Sequence, residues 1–123
     1  MTRYNLELGR RGERIAEDHL VKSGAEVLAR NYRMETGEID LVVMQDEDLV
    51  AVEVKTRSLA ENLESPEEAI TRWKLRRIER ALASFAVESG HDERHWRIDA
   101  IAIEIDLDGG VSRFEHIRDA FGG

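Results

Sequence analysis

Apolar and polar residues change period several times along this chain, and each change marks an element. From Leu8 to Leu20 the apolar or small positions Leu8, Gly12, Ile15, Ala16, His19 and Leu20 recur at helical spacing, and Gly24 ends the pattern as a left-handed cap. Glu26 to Arg33, carrying Val27, Leu28 and Tyr32, reads as a first strand that stops at the turn Glu35 to Gly37. Two clearer strands follow, Glu38 to Met44 and Leu49 to Arg57, and the acidic Gln45-Asp46-Glu47-Asp48 between them is short enough only for an antiparallel hairpin. Ser65-Pro66-Glu67-Glu68 has the residues of a capping box, so a second helix is expected from there to about Ser89, stopped by Gly90. A near-continuous apolar segment around Ile98 to Ile105 reads as a buried strand, and Asp108-Gly109-Gly110 turns it into a last strand, Val111 to Ile117. The order α-β-β-β-α-β-β predicts an α/β sandwich with a central mixed sheet of about five strands flanked by helices.

The hairpin carries an unusual set of charges. Side chains alternate across a strand, so Glu53 and Lys55 share one face while Val50, Val52 and Val54 fill the other. In the preceding strand Ile39, Leu41 and Val43 form the apolar set, which leaves Glu38 and Asp40 on the opposite face. A hairpin centred between Asp46 and Glu47 pairs residues whose numbers sum to 93, setting Asp40 opposite Glu53 and Glu38 opposite Lys55. Two carboxylates at cross-strand distance repel, and a divalent cation between them resolves the conflict. Hard ions such as Mg²⁺ or Mn²⁺ favour carboxylate and carbonyl oxygen and leave room for phosphate oxygens. Lys55 could then orient or help deprotonate a water, or stabilise charge on the phosphoryl oxygens. Glu13, at the edge of the core-facing stripe of helix one, can reach the sheet rim. On spacing alone the plainer reading is favoured: exposed hairpin charges, with Glu38 and Lys55 as a cross-strand ion pair, are the commoner arrangement.

Composition narrows the chemistry. At 123 residues and 41% apolar content, one domain spanning residues 1–123 is expected. The absence of cysteine removes disulfides, thiolate metal sites and cysteine nucleophiles. No apolar run has the length of a signal peptide core or a bilayer span, so a cytoplasmic protein with no membrane partner is expected. The net charge of −8 argues against nonspecific binding to long duplexes, but the charge is uneven. Residues 1–33 hold seven Lys+Arg against five Asp+Glu and residues 71–85 five against one, whereas residues 34–70 hold two against eleven. Arg72, Arg76, Arg77 and Arg80 cluster on one side of helix two, where they could touch phosphates, although an exposed solvated face is the commoner reason for such a pattern. Lys74 falls within the apolar stripe and should point inward or snorkel along its edge.

Several motifs then occur in order: Gly12-Glu13 with Ala16, Arg30-Asn31-Tyr32-Arg33, Gly37-Glu38-Ile39-Asp40-Leu41, Val52-Glu53-Val54-Lys55-Thr56-Arg57, Lys74, and Arg97-Ile98-Asp99. This series closely resembles that of the YraN family, small bacterial proteins classed as endonucleases of the PD-(D/E)XK, restriction-endonuclease-like superfamily. The resemblance runs from about Gly9 to Phe121. It implies a restriction-endonuclease-like fold and Mg²⁺- or Mn²⁺-dependent hydrolysis of DNA, branched or single-stranded. Asp40, Glu53 and Lys55 would be catalytic, and Glu13 corresponds to the helix-one glutamate of the similar archaeal Holliday junction resolvases. The implied metal set is Asp40, Glu53, Val54 through its backbone, and Glu13. Ile39 stands before Asp40 where the superfamily name has proline.

Arg14, Arg30, Arg33, Arg57 and Lys74 are candidate contacts to DNA. A homodimer with two active sites facing one junction is a further expectation. The competing reading is an accessory protein that keeps the fold, does little chemistry and binds a protein partner through its acidic surface. His91-Asp92-Glu93-Arg94-His95 echoes a zinc-protease helix but follows Ser89-Gly90 and is read as a loop. His19 and His116 are read as isolated, and Asp99 is expected to pair with Arg97 or an arginine of helix two.

Overall fold

A computed structural model describes residues 3–59 and 71–121, with side chains from residue 6 onward. The elements are α1 (Arg3–Lys22), β1 (Glu26–Met34), β2 (Gly37–Gln45), β3 (Asp48–Ser58), α2 (Arg72–Ser89), β4 (Trp96–Ile105) and β5 (Val111–Ile117). Their order is the one the periodicity predicts, an α/β fold. The strands form one mixed sheet in the order β1-β2-β3-β4-β5. β3 and β4 run parallel, which requires a crossover, and α2 lies in it. The remaining neighbours are antiparallel.

Each face of the sheet packs its own apolar cluster. On one side Ala16 and Leu20 of α1 meet Val50, Val52, Val54, Leu41, Val43, Ile101 and Ile103. On the other, Ile78, Ala81, Leu82 and Ala86 of α2 meet Ile39, Val42, Leu49, Ala51 and Ile98. This double cover explains why β3 is buried on both faces rather than alternating between core and solvent.

The hairpin closes as expected. Gln45 pairs with Asp48, and the register runs back to Leu41 opposite Val52. Asp46 and Glu47 both adopt positive φ, 51° and 69°, the geometry a two-residue turn needs to match strand twist. Beyond Leu41 the pairing ends, which corrects two expectations. Ile39 packs with the α2 cluster while Leu41 and Val43 pack with α1, so β2 changes face at Asp40. Glu38 meets Arg33 at 3.5 Å rather than Lys55. The cause lies in the neighbouring strand as well: Asn31, between the pairs Arg30–Leu41 and Tyr32–Ile39, has φ 49°, a left-handed residue that Asn tolerates and that breaks strand alternation.

Two glycines seat the helices. A β-carbon on Gly12 would lie 1.7 Å from Thr56 Oγ1, so α1 approaches β3 next to Lys55 only because position 12 has no side chain. A β-carbon on Gly37 would lie 2.1 Å from the Arg77 carbonyl oxygen, which fixes α2 against the start of β2. The helix α2 begins after Thr71, whose hydroxyl accepts the Lys74 N–H at 3.2 Å, and ends at Gly90 with φ 77°. The expected helix running unbroken from Ser65 is therefore corrected at Thr71; the Ser65–Glu68 box and Ile70 lie outside the described residues.

Asp99, opposite Val52 on β4, is wholly buried and has four satisfied contacts. Arg97 donates to it from Nε at 3.0 Å and Nη2 at 3.4 Å, the Asp119 N–H at 2.9 Å, and His116 Nε2 lies at 2.8 Å. Arg97 reaches on to Asp48 at 2.8 Å and Gln45 at 3.1 Å. His19 Nε2 lies 3.3 Å from His116 Nδ1, so the two histidines read as isolated in the sequence are partners. Arg97 is the partner expected for Asp99; His116 is an addition. No helix among the described residues is long and apolar enough to cross a membrane.

Candidate functional site

Where the β2–β3 ladder stops, side chains replace the backbone. Asp40 Oδ2 accepts the Val54 N–H at 2.8 Å. The N–H and C=O of one strand residue leave the strand on the same side, so the Val54 carbonyl faces this gap too. Glu53, one residue earlier on β3, turns to the α2 face and is only 4% exposed, and its carboxyl meets that of Asp40. Lys55 Nζ lies 3.9 Å from Glu53 Oε1. Lys74, in the first turn of α2 and oriented by the Thr71 cap, brings its Nζ within 3.2 Å of the same oxygen. The inward aim expected for Lys74 is observed, and it joins the carboxylates directly. Two acids and two amines thus share one buried gap.

Their protonation is shifted accordingly. Burial raises the pKa of Asp40, against the Val54 N–H and Lys55, which act to lower it. Glu53 is pushed up to about 7 by burial and by the Asp40 charge, with Lys74 and Lys55 opposing. Burial and the adjacent Lys74 lower Lys55. For Lys74 burial works downward, but its contacts with Lys55 and Glu53 prevail and raise it.

Glu13 stands on the opposite side of the gap, on α1. It is half-buried, and burial together with the charge of Asp40 raises its pKa while the Asn31 side chain holds it by a hydrogen bond. It lines a cleft of about 460 Å³ with Arg10, Arg14, Arg30 and Asn31. Asn31 is the residue sequence reasoning missed; an Asn in the middle of an otherwise extended segment was the available signal.

Among the candidate DNA contacts, Arg14 is exposed at that cleft. Arg30 instead grips Glu17 with two hydrogen bonds of 2.6 and 2.9 Å, Arg33 pairs with Glu38, and Arg57, 15% exposed, meets Glu104 at 3.3 Å.

Could this gap hold a metal? Asp40, Glu53 and the Val54 carbonyl supply three oxygens of the hard type that Mg²⁺ and Mn²⁺ prefer. Among the described residues no three Asp, Glu, His or Cys side chains come together as a ligand group, so an ion here would use two carboxylates, backbone and water. Glu13 lies within electrostatic reach of Asp40 rather than in that pair.

The family model described as "Uncharacterised protein family UPF0102" matches residues 12–103, a span that includes Glu13, Asp40, Glu53, Lys55 and Lys74. A UPF0102 protein of Rhodococcus jostii (strain RHA1) is 42% identical over 121 residues, covering 96% of this chain and 98% of its own length. One from Frankia casuarinae is 45% identical over 114 residues, covering 93% and 95%. One from Chlorobium chlorochromatii is 40% identical over 119 residues, covering 94% and 91%. With the YraN-like motif series, the family match and relatives aligned over nearly their whole length, the chain belongs to the uncharacterised protein family UPF0102.

Proposed function

We propose that this chain is a metal-dependent endonuclease that hydrolyses phosphodiester bonds in branched or single-stranded DNA, with Mg²⁺ or Mn²⁺ held by Asp40, Glu53 and the Val54 carbonyl. The observation that carries this reading is the interrupted ladder: β2 leaves β3 just where Asp40 takes the Val54 N–H at 2.8 Å beside the buried Glu53. Burying two carboxylates side by side works against folding, and hydrophobic residues would pack that gap at lower cost. Such an arrangement is a mark of a functional site.

A bound divalent ion would supply charge to polarise a phosphoryl oxygen and acidify a water. The protein's own groups do the rest. Asp40 is held in orientation by the Val54 N–H, and Glu53 by Lys74 at 3.2 Å. Lys55, with its pKa lowered by burial and by Lys74, is suited to take a proton from the attacking water or to stabilise charge on the phosphate. Glu13, approaching from the α1 side with a raised pKa, is placed to hold a water or protonate a leaving oxygen.

Mn²⁺ binding, followed calorimetrically in the wild type, Asp40→Ala, Glu53→Ala and Lys55→Ala, tests the assignment. The first two substitutions should abolish binding and the third should leave it nearly intact. Equal loss in all three would contradict the division between metal ligands and Lys55.

A further inference from the structure

Among the described residues, several arginines of this acidic chain are neutralised. Arg30, Arg33, Arg97 and Arg118 hold acidic partners within 4 Å. On α2, among the described residues, Arg72, Arg76 and Arg80 are exposed and take no acidic partner, and Glu79 is the single acid between residues 71 and 85. Trp73 lies within this basic arc. Its indole is 69% exposed, unusual for the largest apolar side chain, and the Arg77 guanidinium sits 4.9 Å from the ring centroid.

The neighbour of Trp73 in the first turn of α2 is Lys74, whose amine touches Glu53. Helical geometry sets Arg76, Arg77 and Arg80 at the i+3, i+4 and i+7 positions from Trp73, on the same side of the helix. An exposed, partly braced aromatic plane surrounded by unneutralised arginines, one residue from the candidate reaction centre, has the chemistry that captures a base with its phosphates. A paired base has its face covered by its neighbours in the duplex and cannot stack there.

We infer that Trp73, braced by Arg77, is a stacking platform for an unpaired base, and that Arg76 and Arg80 bind the adjoining phosphates of a single-stranded segment. This rests on the endonuclease reading for its purpose, since the platform would present a strand to Asp40 and Glu53. The binding itself is separable from cleavage. It also gives the chain a physical reason to prefer single-stranded regions despite its net charge of −8: stacking adds an attraction that long duplexes cannot use.

The test uses the full chain in a calcium buffer, with a short labelled oligothymidylate and a duplex of equal length. In a Trp96→Phe background Trp73 is the sole tryptophan, and oligothymidylate should quench its fluorescence saturably. Trp73→Ala should weaken oligothymidylate binding roughly tenfold and leave duplex binding unchanged, with Trp73→Phe retaining part of the affinity. Circular dichroism should show the variants folded, because the side chain is mostly exposed.

Unchanged oligothymidylate affinity in Trp73→Ala, or equal loss for strand and duplex, overturns the platform. So does a change from dimer to monomer on that substitution without loss of oligothymidylate binding, which would assign the patch to a second copy. Cleavage in Mn²⁺ separates the two claims. Trp73-dependent binding without any wild-type cleavage upholds the platform and removes the endonuclease reading; cleavage with the same strand preference in Trp73→Ala does the reverse.

Discussion

Withdrawing water from a carboxylate makes its charged form costly, and Glu53 is where this chain concentrates that cost. Its folded pKa of about 7 lies above the ordinary 4.5, so the group contributes stability below pH 4.5 and loses it as pH rises through about 7. The metal-free protein should therefore become less stable over that interval, as urea midpoints would record. In Glu53→Gln the decline should be shallower, and Mn²⁺ should restore wild-type stability most above pH 7; a flat wild-type profile would contradict the shift. Lys55→Ala should lower cleavage by about 10²-fold or more with the fold retained.

Much of this residue-level picture was legible. Period-two alternation separates Glu53 and Lys55 from Val52 and Val54, and the helical wheel turns Lys74 inward. What alternation could not reveal is the change of face at Asp40. It depends on Asn31 adopting a left-handed conformation one strand away, and the period-two rule assumes every residue extended.

At the scale of elements, the two helices are positioned by the absence of side chains. Gly12 brings α1 onto Thr56, and Gly37 brings α2 onto β2. Gly37→Ala drives a methyl group into the Arg77 backbone and should cost about 1–3 kcal/mol in denaturant unfolding. It should also reduce metal affinity, because Lys74 and Glu53 lose their spacing. An equal loss of stability without any effect on metal binding would detach α2 from the site.

The strand boundaries and the glycine cap at Gly90 follow from patterns a sequence displays openly. Thr71 as N-cap was not singled out, because the capping-box residues at Ser65 drew the eye and local capping chemistry alone does not rank one candidate start above another.

At the scale of the molecule, buried polar groups form two separate clusters on neighbouring strands. One is the gap of Asp40, Glu53, Lys55 and Lys74; the other is Asp99 with its contacts to Arg97, His116 and the Asp119 N–H. Burial works against the charge of Asp99, but His116, Arg97 and the Asp119 N–H outweigh it and lower its pKa below the ordinary 3.8. Its contribution is therefore complete above pH 3.8 and is lost only as pH falls through the lower folded value. Asp99→Ala strands Arg97 and His116 and should cost about 3–5 kcal/mol while leaving Mn²⁺ affinity unchanged. A matching fall in metal affinity would show that the two clusters are coupled.

The Asp99–Arg97 pair was readable from proximity along one strand. The link to His116 and His19 was not, because it joins residues 97 positions apart that only the sheet and α1 bring together. The distribution of unneutralised arginines was likewise invisible in a charge count, since Arg30 and Arg76 look alike until Glu17 is seen to occupy one and not the other.

We propose that the gap at Asp40 and Glu53 cuts DNA with a divalent ion. It is tested most directly by incubating labelled single-stranded, duplex, flap and four-way-junction DNAs with Mg²⁺ or Mn²⁺, comparing the wild type with Glu53→Ala. Expected are metal-dependent products from the single-stranded or branched substrates that vanish in the variant. Wild-type product no greater than the Glu53→Ala background on every substrate would contradict it.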